Sequence, residues 1–273
     1  MTIDIKQILV DFDPVLVHPL ELRATVDAIL ESLGSPDAEL REQLIFPKFS
    51  SLLRSAHLPE AELLRILDIC LSDTHLFCNI ENMSSAVLVR ADSGWIISEI
   101  LLINAKNNFL TLAKLDEIID RVLLYIAREE DGRGYIEDEG WAHAIANGID
   151  MLGALVANPQ VPTSGYEDIL IAIESCLFKK TPYFHQEGER AAEVVRAMMD
   201  KGISSDTIGQ WMNQMSARLA ETFDAQGFTY KFHCNNVNVS NFLKSLYFGF
   251  KKTGERVKMR VDIYDNIRKL QRF

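Results

Sequence analysis

Apolar residues recur at helical spacing along almost the whole chain, and this recurrence limits its fold more than any other feature. The segment after Thr111 is the clearest case. Leu112, Leu115, Ile118, Ile119, Val122, Leu123 and Ile126 fall at i, i+3 and i+4, which puts them on one face of an α-helix. Thr111 stands before them as an N-cap, and Glu117 and Arg121 are spaced for an i,i+4 ion pair on the wet face. Pro19 opens an earlier run that Gly34 closes, and Ser35-Pro36 restarts a helix through about Leu53, with Pro47 splitting or kinking it. Leu58-Pro59-Glu60 leads into a face of Leu63, Leu64, Leu67 and Leu71. The spacing predicts further helices over 93–103, from Glu139 to Val156, from a Ser164–Glu167 capping box to Lys180, and over 186–201, 206–225, 238–252 and 257–271. Gly202 and Gly227 stand as left-handed terminators, and only 227–233 has a β-flavoured composition.

About ten or eleven helices joined by short loops make an all-α chain. Pairs recur at roughly 40–50 residues, the period of HEAT and armadillo repeats. The expected architecture is one domain over 1–273, a stack of antiparallel helix pairs (an αα-superhelix), with a compact multi-helix bundle as the alternative. The 48% hydrophobic content argues against disorder. No apolar stretch reaches the ~18 residues of a membrane span, and Trp95–Ile103 contains Glu99. Met1–Lys6 carries Asp4 and lacks the basic start of a signal peptide. Cys70, Cys78, Cys176 and Cys234 form no Cys-x-x-Cys pair, so reduced thiols and a cytoplasmic location are expected. His75/Cys78 and His233/Cys234 lack the paired spacing of zinc ligands. A net charge of −11 argues against nucleic acid as a partner. Residues 244–273 run against that balance, with nine Lys or Arg against three acids. The expectation is a basic helix docked on an acidic body, or a homodimer built through it.

Chemistry-bearing residues concentrate between Glu129 and Asp150. Gly132 and Gly134 are expected at positive φ, turning the chain between helices. Without a preceding strand and a third glycine in place, they make no dinucleotide fingerprint. Ala142, Ala144, Ala146, Gly148, Gly153 and Ala154 leave the next helix with flat faces for close neighbours, so it should lie centrally. His143, Asn147 and Asp150 form one polar stripe on it. The stripe has three readings. In the structural one, His143 is buried and satisfied, and Asp150 ties this helix to the next pair. In the catalytic one, His143 is a general acid or base, with Arg133 holding an anion. In the metal one, His143 and Asp150 take an ion with Asp131 or Glu137, beside the poor ligand Asn147. The first is preferred, with no metal and no cofactor. Arg190 is expected to pair with Asp150, or Arg133 with Glu189, in a network that also includes Asp131 and His143.

The same residues carry a family resemblance. Glu129-x-Asp131-x-Arg133-Gly134-Tyr135, with Gly140-Trp141-Ala142-His143-Ala144-x-Ala146-x-Gly148-x-Asp150-x-Leu152, resembles the signature of the bacterial domain of unknown function 2785 family. Arg90 and Ser93, Phe109-Leu110 and Glu187-x-Glu189-Arg190-Ala191 extend the resemblance, which is good over about 85–200. Asn147 stands where that family carries a second histidine, and Ile149 where it carries alanine. A mechanism needing two histidines on this helix is therefore in doubt, because asparagine shuttles no proton near neutral pH. The resemblance implies a helical fold and no particular reaction.

The function expected from sequence is a binding or scaffold module for a protein or peptide. Asp131, Arg133, Trp141, His143, Asn147, Asp150, Glu189 and Arg190 are its candidate binding residues. The alternative is a hydrolase-like enzyme with a pocket around His143, Asp131 and Arg133, helped by Glu189. The chain has no Gly-x-Ser-x-Gly and no His-Glu-x-x-His, which favours binding.

Overall fold

The computed structural model describes residues 5–12, 19–55, 57–251 and 257–272. Met1–Asp4, part of the leader argument, lie outside them, as do residues 252–256 of the basic segment. Twelve α-helices are described, with a short π-helix, one 3₁₀ turn and a single two-stranded hairpin. The fold is all-α.

Helix α5 (Ala86–Asn107) carries apolar residues on all its faces and is buried along most of its length up to Leu101. It packs on α4 (Glu60–Leu71) and, most extensively, on α7 (Ala144–Ala157). Helix α7 then packs on α9 (Glu187–Asp200), and α9 on α11 (Tyr230–Lys251). Helices α6 (Leu112–Arg128) and α8 (Tyr166–Leu177) pack on each other and flank α7. Helix α12 (Val257–Leu270) closes against α10 (Ser205–Gln226) and α11. One apolar core runs from Leu9 to Leu270.

Small residues make the centre close. A Cβ on Gly148 would lie 3.5 Å from Tyr125 of α6, and one on Gly153 3.3 Å from Val194 of α9. Across the α5–α7 contact, a Cβ on Gly94 would meet Met151 at 3.4 Å. Glycine inside a helix costs about 1 kcal/mol against alanine, and this close packing offsets it.

Several local expectations hold. The Thr111 hydroxyl accepts from Lys114 N at 3.2 Å, and Gly34, Gly202 and Gly227 all have positive φ. Others need correction. Arg121 turns from Glu117 to the Leu71 carbonyl (2.6 Å) and Asp73, tying α6 to the end of α4, while Glu117 pairs with Lys114. Ser164 lies in a 3₁₀ turn that precedes α8, so no capping box forms. The β-flavoured run 227–233 enters α11 instead. Phe232 is buried against Phe223, Phe228 and Tyr230 are exposed, and Thr229 Oγ1 accepts from Phe232 N. Pro47 marks a change of winding: a π-helix, Glu39–Ile45, runs directly into α3 (Phe46–Arg54).

Candidate functional site

The segment before α7 is not helical from Glu139. Tyr135–Ile136 pairs antiparallel with Gly140–Trp141, and the tight turn is made by Asp138 (φ 67°) and Gly140 (φ 82°). Gly132 and Gly134 are not the positive-φ residues. Glycine is required there for space: a Cβ would lie 2.7 Å from Thr181 at Gly132 and 2.1 Å from the His185 ring at Gly134. His143 stands outside the helix as its N-cap, with φ 62°, and its carbonyl accepts from Asn147 N.

Arg41 and Glu42 of the π-helix grip the hairpin. Arg41 is 3% exposed and donates to the carbonyls of Ser35, Glu139 and Trp141 at 2.7–2.8 Å. Glu42 Oε1 accepts from Trp141 N at 2.8 Å. The Trp141 peptide is therefore held at both its N–H and its C=O. The Trp141 ring stacks on His143 (centroids 4.7 Å apart, planes 6° apart) and meets His185 edge-on at 4.6 Å.

Under this hairpin lies a cleft of about 670 Å³. The π-helix and α3 supply Arg41, Glu42 and Phe46, and α5 supplies Asp92, Trp95 and Glu99. The stripe His143, Asn147 and Asp150 lines it from the α7 side, with Arg190 and Glu193 from α9. Phe46 and Trp141 are 51% and 37% exposed, unusual for rings of this size, and Phe46 packs on Trp95 at 4.7 Å. Five of the lining side chains are carboxylates and two are guanidiniums.

The charge pair between α7 and α9 is half-wet. Asp150 pairs with Arg190 as expected, both about one-third exposed. Burial raises the Asp150 pKa against the pull of Arg190, and Glu193 and Glu99 push it further. Burial also pushes the Asp92 carboxyl up to about 6, although Arg41 and Gly34 N oppose that shift. His143 goes the other way: burial first, then His185 and Arg190, hold its pKa down to about 4. Its Nδ1 is buried with no partner. Asn147 donates to the Ala91 carbonyl at 2.8 Å, bridging α7 to α5.

Asp131 and Arg133 do not line this cleft. Asp131 is 2% exposed and takes three contacts of 2.6–3.1 Å from the Arg133 guanidinium, which also donates to the Ser84 carbonyl. Next to them Arg90 and Glu129, both fully buried, pair at 2.6 and 2.9 Å, and Glu129 also accepts from Asp131 N. A single pocket around His143, Asp131 and Arg133 is therefore not present, nor is the Arg133–Glu189 pair. Glu189 is exposed on another face, beside Asn241 and Lys244 of α11. The expected network divides into a buried cluster and a cleft pair. Among the described residues, no three His, Cys, Asp or Glu side chains converge to hold a metal ion.

Sequence reasoning missed Arg41, Glu42, Phe46, Asp92 and Trp95. The first three lie about a hundred residues before the hairpin they serve, and only the Pro47 break marked that stretch. Asp92 carried the one usable signal, a carboxylate that shares a mostly apolar helix with Glu99.

The molecule is thus an all-α protein with a partly aromatic, carboxylate-rich cleft roofed by a hairpin. Residues 76–248 match the family described as protein of unknown function (DUF2785), and the chain belongs to that family. No curated protein and no solved structure matches it. The match takes in α5 to α10, the hairpin and most of α11, but Arg41, Glu42 and Phe46 lie before it.

Proposed function

We propose that the protein is a binding module whose cleft under the 135–141 hairpin receives a segment of a peptide or protein. The carrying observation is the cleft itself: its volume lies in the range of ligand sites, and Phe46 and Trp141 stay exposed on its wall. A second feature supports it. Among the described residues thirteen buried side-chain polar atoms make no hydrogen bond, and those of Arg41, Trp95, His143 and Arg190 belong to this lining. Such groups are costly in a region that serves only the fold, so their concentration favours a functional site.

The hydrolase-like alternative gains less. His143 is stacked under Trp141, its pKa is depressed, and Asp131 and Arg133 serve each other elsewhere. The lining serine, Ser98, donates to the Trp95 carbonyl within its own helix. The sequential packing of α5, α7, α9 and α11 supports an armadillo-like stack of helix pairs. The free thiols of Cys70, Cys78, Cys176 and Cys234 support a cytoplasmic setting.

A screen of short peptides against the isotope-labelled protein tests this reading. Binders should shift the amides of Trp141, His143, Asn147 and Arg190, and Phe46→Ala should weaken them about tenfold. Binding that maps to the Glu189–Lys244 face and ignores Phe46→Ala would overturn it.

A further inference from the structure

The cleft's lining also points to the kind of group it takes. Glu42 and Phe46 are one turn apart at the π-helix–α3 junction, and Asp92 and Trp95 are one turn apart on α5. The two pairs meet through the Phe46–Trp95 ring contact and through Arg41, which lies beside both carboxylates at 3.6 Å. Arg41 hydrogen-bonds neither of them: three of its four Nη N–H groups go to backbone carbonyls, and its Nε stays 3.6 Å from Asp92. Among the described residues, Glu42 takes one hydrogen bond, from Trp141 N, and Asp92 one, from Gly34 N. Each carboxylate thus has an oxygen with no donor among the described residues, in a cleft that exposes aromatic surface.

We propose that this end of the cleft seats a lysine or arginine side chain of a peptide ligand, its charge on Asp92 and Glu42 and its stem against Phe46 and Trp141. The proposal rests on the binding reading above and gives it a ligand class. Long cationic side chains lay their methylenes on apolar surface and present the charge at the tip, and a cation gains from aromatic faces. Burial raises the Asp92 pKa, Arg41 opposes the shift, and a further cation would oppose it in the same way. The net charge of −11 draws basic peptides toward the molecule.

Calorimetry on the full chain with three probes tests it: a blocked Ala-Arg-Ala peptide, the same peptide with citrulline for arginine, and free agmatine. The arginine peptide should bind at least tenfold more tightly than the citrulline peptide, and agmatine more weakly than the arginine peptide. Glu42→Gln, which keeps the acceptor for Trp141 N, should remove about fivefold of the preference. Asp92→Asn should do the same, and unfolding curves show whether each variant is intact. Equal binding of the arginine and citrulline peptides, with Phe46→Ala weakening both, overturns the cation and leaves the cleft as a binding site. Agmatine binding as tightly as the peptide overturns the peptide source. No binding by any probe overturns both readings.

Discussion

Two arginine–carboxylate groups, the Arg90–Glu129–Asp131–Arg133 cluster and that of the cleft, differ in what they leave unspent. In the cluster of Arg90, Glu129, Asp131 and Arg133, charges are matched, and all but Arg133 are dry: Arg90 and Glu129 are fully buried and doubly bonded, and Asp131 is 2% exposed. In the cleft, Arg190–Asp150 is about one-third exposed, and Arg41 is diverted from Asp92 and Glu42 to backbone carbonyls. The first arrangement spends its carboxylates on its own arginines and backbone. The second keeps acceptors open next to exposed rings. Closure of the polar network, more than charge itself, separates the part that holds the fold from the part that can recognise something.

The comparison breaks most readily at Glu129. Glu129→Ala leaves Arg90 charged and unpaired in the core, and should cost about 3–5 kcal/mol in urea unfolding. A loss below 1 kcal/mol would mean that the buried cluster is not architectural. Arg41→Met comes next. It strips three carbonyls of their donor and loosens the Trp141 peptide, for an expected loss of about 2–3 kcal/mol. Trp141 should also become more solvent-exposed, read as a red shift in tryptophan emission. Asp150→Ala should cost only about 0–1 kcal/mol, because a half-wet pair competes with water. A loss as large as that of Glu129→Ala would erase the distinction between the two groups.

Acid sharpens the comparison within the cleft. Asp92, with its pKa raised from 3.8 to about 6, contributes stability at low pH that is lost as the pH rises through about 6. His143, lowered from 6.5 to about 4, contributes stability above 6.5 that is lost as the pH falls toward 4. The two slopes oppose each other in that window. Unfolding free energies at pH 4.5 and 7 should therefore show a steeper acid loss for Asp92→Asn. His143→Asn should show a shallower one, since asparagine tolerates the left-handed backbone. The same acid response in both variants would refute the assignment.

The sequence announced the helices because burial imposes a period on them. The Thr111 cap and the glycine terminators are local and were legible for the same reason, and so was the central place of the small-residue helix. The pairing of Arg190 with Asp150 followed from the order of the helices. The hairpin was not legible. Asp138 and His143 take left-handed conformations without being glycine, and Gly132 and Gly134 answer to Thr181 and His185, which lie about fifty residues further along the chain. The cleft's other wall was hidden by distance in sequence: nothing local tells Arg41 that its acceptors are the carbonyls of Glu139 and Trp141.

The central claim is that the cleft recognises a ligand and the Arg90–Glu129–Asp131–Arg133 cluster does not. Titrating the isotope-labelled protein with the blocked Ala-Arg-Ala peptide tests it most directly, by following the backbone amides and the tryptophan indoles. The account predicts saturable shifts at Glu42, Asp92, Trp95 and Trp141, with Arg90, Glu129 and Arg133 unmoved. Shifts centred on Glu129 and Arg133, with the Trp95 and Trp141 signals still, would contradict it.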